Sequence, residues 1–328
     1  MSPDSTQGWL LLTNDDGIEA VGMKKLVQKL NSRGHKVVVF APKDNHSATG
    51  MRINLMTPLN WRFRNDLKSR WNVNDENLHL IELDGTPCDT MIVALDKGLQ
   101  HILPEVIPRL VISGVNLGPN MSQDSYHSGT MGAAREAGLY GMPAIASSLT
   151  SFDDEGMQKA VDATVQLIER AIEILPMVPE NLRRPSVDIS KPHVSRWPII
   201  EDKPAWSDNP IEALRTAFRN GELMLNINTP PTWNGEFQTT RLGMRWYRDA
   251  ISFAENADNE NTATFTIGAA SIDHTPVESS DCDAVMMDKS SISCLPTWPQ
   301  THPLAIDDRL LTWCLQSGEE NYPIWLKI

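Results

Sequence analysis

Short apolar runs that show no polar alternation recur through the first half of this chain, each followed by a segment of different periodicity. Trp9–Thr13 is the first such run. A strand that is apolar at every position must be covered on both faces, as happens in a parallel sheet between layers of helices. A helical pattern follows, with Met23, Leu26, Val27 and Leu30 on one face and lysines opposite, closed by Gly34. Val37–Ala41 is the second apolar strand, ended by Pro42. Strand, helix and strand between Trp9 and Ala41 read as a βαβ unit with a right-handed crossover.

The alternation continues. A mixed stretch from Arg52 to Leu83 holds strand-like pieces around Trp61 and at Leu78–Leu83. Pro87–Leu99 reads as a helix, Leu110–Gly114 as a strand, Gly129–Tyr140 as a helix of small residues and Pro143–Ser148 as a strand. The expected fold class is α/β, a Rossmann-like, doubly wound, mostly parallel sheet. No G-x-G-x-x-G follows the first strand, which disfavours a nicotinamide-type site.

Beyond residue 150 the pattern changes. Gly156–Ile174 is an amphipathic helix, and Pro176–Asp208 reads as an irregular insertion rich in proline, arginine and tryptophan. Leu223–Asn228 is a strand. Arg241–Phe253 and Thr262–Gly268, joined by a polar turn at Asn256–Asn261, read as an extended C-terminal β-hairpin arm. Asp307–Leu315 is a closing helix. The expected organisation is a single domain over residues 1–328. It comprises a catalytic core at 1–150, a helix plus insertion at 151–228, a hairpin arm for oligomerisation at 229–300 and a C-terminal helix at 301–328.

The formal net charge is −13. A nonspecific binder of duplex nucleic acid or anionic membrane needs a basic face, so the balance argues against both. No stretch approaches the ~20 apolar residues of a membrane span. The segment Met1–Gly8 lacks the basic and apolar regions of a secretory signal, and a cytoplasmic protein is expected. Cys88, Cys282, Cys294 and Cys314 form no C-x-x-C pair and read as structural thiols.

Open parallel sheets bind ligands beyond the carboxyl ends of their strands. The sequence places Asn14, Asp15, Asp16 and Gly17 after the first strand, and Asp44, Asn45, His46, Ser47 and Thr49 after the second. Gly114–Asn120 follows a third, and Ser128-Gly129-Thr130 opens a helix. An aspartate here can cap the next helix. Capping accounts for one of Asp15 and Asp16 better than for both, because adjacent like charges repel without a cation. A divalent metal is the preferred reading, and oxygen donors suit Mg²⁺ or Mn²⁺ over zinc. Ser47 reads equally as a solvated loop serine, and Asn116 as a residue tolerating a tight turn. Ser128-Gly129-Thr130 reads as an anion site at a helix N-terminus or as an ordinary N-cap. Gly85-Thr86-Pro87-Cys88-Asp89 reads as a structural cap. His46 and His127 flank the same loops as candidate phosphate donors or acids.

Five of these segments occur in one order: Leu12–Gly17, Ala41-Pro42 with Asn45 and Ser47, Gly85-Thr86-Pro87 with Asp89, Ser113–Asn120, and Ser128-Gly129-Thr130. Together they resemble the SurE family of 5′/3′-nucleotidases, with thinner similarity at Leu225–Asn228, Thr240–Gly243 and Ser280–Pro296. The resemblance implies a metal-dependent phosphomonoesterase acting on nucleoside monophosphates, with a hairpin and C-terminal segment exchanged between subunits of a homodimer or homotetramer. It implies one divalent metal ion per subunit, Mg²⁺ or Mn²⁺, on Asp15, Asp16, Ser47 and Asn116. Asp15 or Asp16 would orient or deprotonate the attacking water. Asn45 and Ser128, Gly129 and Thr130 would bind phosphate. The alternatives are a broad acid phosphatase on non-nucleotide monoesters, a phosphate-handling transferase and a non-catalytic nucleotide-binding protein. The chain departs from the family pattern at His46, where arginine is frequent, at Val21, where proline is frequent, and at His127, where the tyrosine stands one place earlier as Tyr126.

Overall fold

The structure is a computed structural model that describes residues 8–73, 76–177, 209–253, 264–268 and 271–326. Most of the Pro176–Asp208 insertion and the Asn256–Asn261 turn lie outside the described residues. In chain order the elements begin with β1 (Trp9–Thr13), α1 (Val21–Ser32), β2 (Val37–Pro42), β3 (Trp61–Phe63), α2 (Asn65–Trp71) and β4 (Leu78–Leu83). They continue with α3 (Pro87–Val93), α4 (Leu99–Ile102), β5 (Pro108–Leu117), α5 (Asp124–His127), α6 (Gly129–Leu139), β6 (Ala144–Leu149) and α7 (Met157–Glu173). The last group is α8 (Pro210–Arg219), β7 (Leu223–Thr229), β8 (Phe237–Thr240), β9 (Met244–Arg248), β10 (Ile251–Phe253), β11 (Phe265–Ile267), β12 (Ser271–Thr275), α9 (Asp281–Met286), β13 (Ser290–Pro296) and α10 (Asp308–Trp313).

Nine strands form one sheet in the order β3-β4-β2-β1-β5-β6-β7-β13-β8. The six strands from β4 to β7 are mutually parallel. Their order is that of two mononucleotide-binding halves diverging from β1 and β5. β3 is an antiparallel edge, and β13 runs antiparallel to β7. Strands from beyond residue 150 therefore complete the sheet.

The apolar runs are buried on both faces because successive side chains point to opposite sides. Leu10, Leu12, Val37, Val39, Leu110 and Ile112 pack with Met23, Leu26 and Leu30 of α1 and with Val161, Val165 and Ile168 of α7. Leu11, Val38, Phe40 and Val111 pack on the other face with Met91 of α3 and with Met131, Ala134 and Ala137 of α6. The small residues of α6 let that helix lie close to the sheet.

Three expectations change. The helix foreseen at Pro87–Leu99 is two helices, α3 and α4, separated by a wider turn at Ala94–Gly98 in which Lys97 adopts a φ of 130°. Non-glycine residues rarely hold that conformation inside a helix. The strand foreseen at Leu110–Gly114 runs on to Leu117 across a register shift between Ser113 and Asn116, which carries Asn116 on the strand itself. The hairpin is present as two separate antiparallel ladders, β10 with β11 and β9 with β12. Asp249, with φ of 48°, stands where the first arm breaks between β9 and β10.

Candidate active site

β1 and β5 are neighbours, but the chain leaves them toward opposite edges of the sheet, so a crevice opens beyond their carboxyl ends. Asn14, Asp15 and Asp16 begin one wall of it. The Asn14 Nδ2 donates to the Gly17 carbonyl at 2.8 Å, which closes the turn after β1.

Asp15 is only 2% exposed. Its Oδ1 accepts from the Thr130 hydroxyl at 2.6 Å, and its Oδ2 accepts from the Thr130 N–H at 2.9 Å. The carboxylate thus occupies the positive end of α6, where unpaired N–H groups favour an anion. Gly129 permits this approach: a Cβ there would fall 2.8 Å from Asp15 Cβ and 3.0 Å from Thr49 Oγ1. Burial nevertheless raises the Asp15 pKa, against the opposing Thr130 hydrogen bonds. Asp16 accepts from the Leu117 N–H at 3.0 Å. Its pKa is pushed up to about 6, by burial first and by the Asp15 charge second, with the Leu117 bond opposing.

Two backbone contacts gather the remaining oxygens. The His46 N–H donates to the Asp15 carbonyl at 2.6 Å and draws the loop carrying Asn45 and Ser47 to the end of β1. Asn45 Oδ1 accepts from the Ser47 N–H at 2.8 Å, folding that loop into a tight turn with both residues exposed. Asn116, next to the Leu117 that binds Asp16, donates through Nδ2 to the Gly118 carbonyl at 2.7 Å, which leaves its Oδ1 as an acceptor. The structure therefore brings Asp15, Asp16, Ser47 and Asn116 to one end of the sheet.

Their chemistry fits a divalent ion. No cationic side chain offsets the two carboxylates among the described residues. No cluster of three or more His, Cys, Asp or Glu side chains suited to a metal occurs among them either, so an ion here would need the neutral oxygens of Ser47 and Asn116. Oxygen-only donor sets of this kind select hard cations.

The helix start differs in detail from expectation. Ser128 caps α6 in the ordinary way, its Oγ accepting from the Met131 N–H at 3.0 Å. Thr130 directs both its N–H and its hydroxyl at Asp15, in place of an open anion site. The sequence holds no local signal for that partnership, since the two residues are 115 positions apart. The roles of the His46 and Leu117 N–H groups were equally invisible, because backbone donors carry no residue signature. His127 contributes its carbonyl, which accepts from the Gly50 N–H at 2.8 Å. Thr86 and Asp89 form a capping box at α3, with proline in the first helical turn, and Asp89 also binds Asn54, so that motif is structural.

Comparison with known proteins places these features in a wider group. The family model described as Survival protein SurE matches residues 10–249. A protein of Prochlorococcus marinus (strain MIT 9211) named 5′-nucleotidase SurE is 32% identical over 250 residues, covering 74% of this chain and 71% of that one. A Synechococcus sp. (strain CC9311) protein of the same name is 36% identical over 246 residues, covering 74% and 72%. One from Gloeobacter violaceus is 30% identical over 290 residues, with 88% of each chain covered. The fold is that of the crystal structure of the Sure protein from Aquifex aeolicus, with a TM-score of 0.61 at 24% identity, covering 89% of this chain and 95% of that one.

Proposed function

The chain belongs to the Survival protein SurE family, and from that premise we propose that it is a 5′-nucleotidase. It hydrolyses nucleoside 5′-monophosphates, and in the wider reading 3′-monophosphates, to nucleoside and phosphate. The observation that carries this reading is the adjacent carboxylates of buried Asp15 and half-buried Asp16, without a cationic partner among the described residues, at the switch point of a doubly wound sheet.

In this proposal Asp15, Asp16, Ser47 and Asn116 hold one Mg²⁺ or Mn²⁺ per subunit. The chemistry such an ion supplies when bound is neutralisation of phosphate charge and acidification of water. Asp15 or Asp16 orients the attacking water and takes its proton. Thr130 and the α6 N-terminus hold the Asp15 carboxylate in one orientation, so that it need not reorganise during reaction. Asn45, Ser128 and Gly129 remain as the phosphate-binding set, and Thr130 leaves it because both of its donors serve Asp15. Asn45 has its Oδ1 taken by Ser47 and so presents Nδ2 as a donor, Ser128 keeps a hydroxyl proton to donate, and Thr130 acts through Asp15.

A cytoplasmic setting suits four buried free cysteines. A homodimer or homotetramer suits the hairpin, whose Phe253, Phe265 and Ile267 are exposed on strands too few to be stable alone. No helix among the described residues is long and apolar enough to cross a membrane.

The test is phosphate release from AMP, GMP and p-nitrophenyl phosphate with Mg²⁺, with Mn²⁺ and with EDTA. Metal-stimulated release that favours the nucleotides supports the reading. Preference for the aryl ester points to a broad phosphatase. Bound nucleotide that is never cleaved points to a binding protein.

A further inference from the structure

Phe152 lies just past β6, in the loop that leads to α7, and its ring is 78% exposed. Among the described residues no other aromatic ring packs on it. Its position is specific. A Cβ built on Gly118 would lie 2.9 Å from Phe152 Cε1 and 3.8 Å from Asn116 Nδ2. The ring edge and the Asn116 amide therefore flank one glycine at the end of β5. Gly118 has φ of 121° and no side chain, so the turn that sets Asn116 also leaves the space in which the ring stands.

The loop is tethered from below. The Gly118 N–H donates to the Leu149 carbonyl at 3.1 Å, which fixes the end of β6 three residues before the ring. Rings held on a rigid support beside a polar site are suited to stacking a planar heterocycle, since every base has a π face. The polar oxygens of the crevice suit the phosphate end of a substrate, and Phe152 offers an exposed ring that meets the same glycine as the Asn116 amide.

We propose that Phe152 is the stacking surface for the base of a nucleoside monophosphate whose phosphate lies at Asp15, Asp16 and Asn116. This rests on the nucleotidase reading above and adds to it the residue that recognises the base. A base stacked both before and during reaction lowers KM more than it raises kcat. Truncating a stacking ring at an exposed site is expected to weaken binding roughly five- to tenfold, the lower part of the range for base–aromatic stacks.

The experiment compares the metal-loaded wild-type protein with Phe152→Ala and Phe152→Trp. It reads KM for AMP and the inhibition constants of adenosine and of inorganic phosphate. Phe152→Ala should raise KM for AMP and weaken adenosine about five- to tenfold, with inorganic phosphate unaffected, and Phe152→Trp should restore both. Equal weakening of adenosine and inorganic phosphate, or no change in either, overturns the stack. Wild-type protein that releases no phosphate from AMP contradicts the nucleotidase reading itself. Wild-type turnover with an unaltered Phe152→Ala variant contradicts the stack alone.

Discussion

Thr130 donates two hydrogen bonds to Asp15, one from its hydroxyl to Oδ1 at 2.6 Å and one from its N–H to Oδ2 at 2.9 Å. A carboxylate held at both oxygens by one residue at a helix start has a fixed orientation. Partners of this kind around metal ligands commonly contribute ten- to a hundredfold in affinity or activity. Thr130→Val keeps the N–H and the shape and removes the hydroxyl. We expect Mn²⁺ affinity, read by calorimetry, to fall about tenfold or more while the fold persists. Unchanged affinity would mean that the N–H alone positions Asp15.

Removing the metal should weaken substrate binding as well as stop turnover. Asp15 and Asp16 are two negative charges in a chain of net charge −13, and an anionic phosphate must approach them. The Asn45-His46-Ser47 loop beside them contains no lysine or arginine. Equilibrium binding of AMP to EDTA-treated protein is expected to be weaker by roughly tenfold or more than to the Mn²⁺-loaded form, the scale on which local fields change ligand concentration. Equal binding would show that backbone donors suffice for the phosphate.

Stability should fall on mild acidification through His35. This side chain is buried, and burial lowers its pKa, against the opposing effect of Glu169 at 3.5 Å. The unfolded chain, with an ordinary value near ~6.5, then binds the proton more readily than the folded one. The contribution is therefore complete above about pH 6.5 and is lost progressively as pH falls toward the folded value. Denaturant midpoints from pH 7.5 to 5 should decline for the wild type and decline less for His35→Gln. Parallel declines would assign the acid sensitivity elsewhere.

Much of this organisation was legible in the sequence, for identifiable reasons. Apolar runs such as Leu10-Leu11-Leu12 give the parallel strands directly, because only a doubly covered sheet leaves no position for a polar residue. The Asp15-Asp16 pair stood out because two adjacent carboxylates end an apolar strand with no lysine or arginine in the same turn. What escaped was held by long-range or backbone contacts. β13 reads Ser290-Ser291-Ile292-Ser293-Cys294, too polar for a core strand by composition, yet its serines are buried against β7 and β8, where Ser290 bonds Thr229 and Ser293 bonds Thr240. α2 carries only two buried residues, Leu67 and Trp71, too few to show a helical period. The pairing of Thr130 with Asp15 depends on the fold that brings α6 over β1.

The most direct test of the central claim is phosphate release from AMP by wild type, Asp15→Asn and Asp16→Asn, with Mn²⁺ and with EDTA, each variant checked for a wild-type circular dichroism spectrum. The expected result is metal-dependent release by the wild type and none above background by either folded variant. Full metal-dependent activity in Asp15→Asn would contradict the assignment of the paired carboxylates as the metal-binding centre of this enzyme.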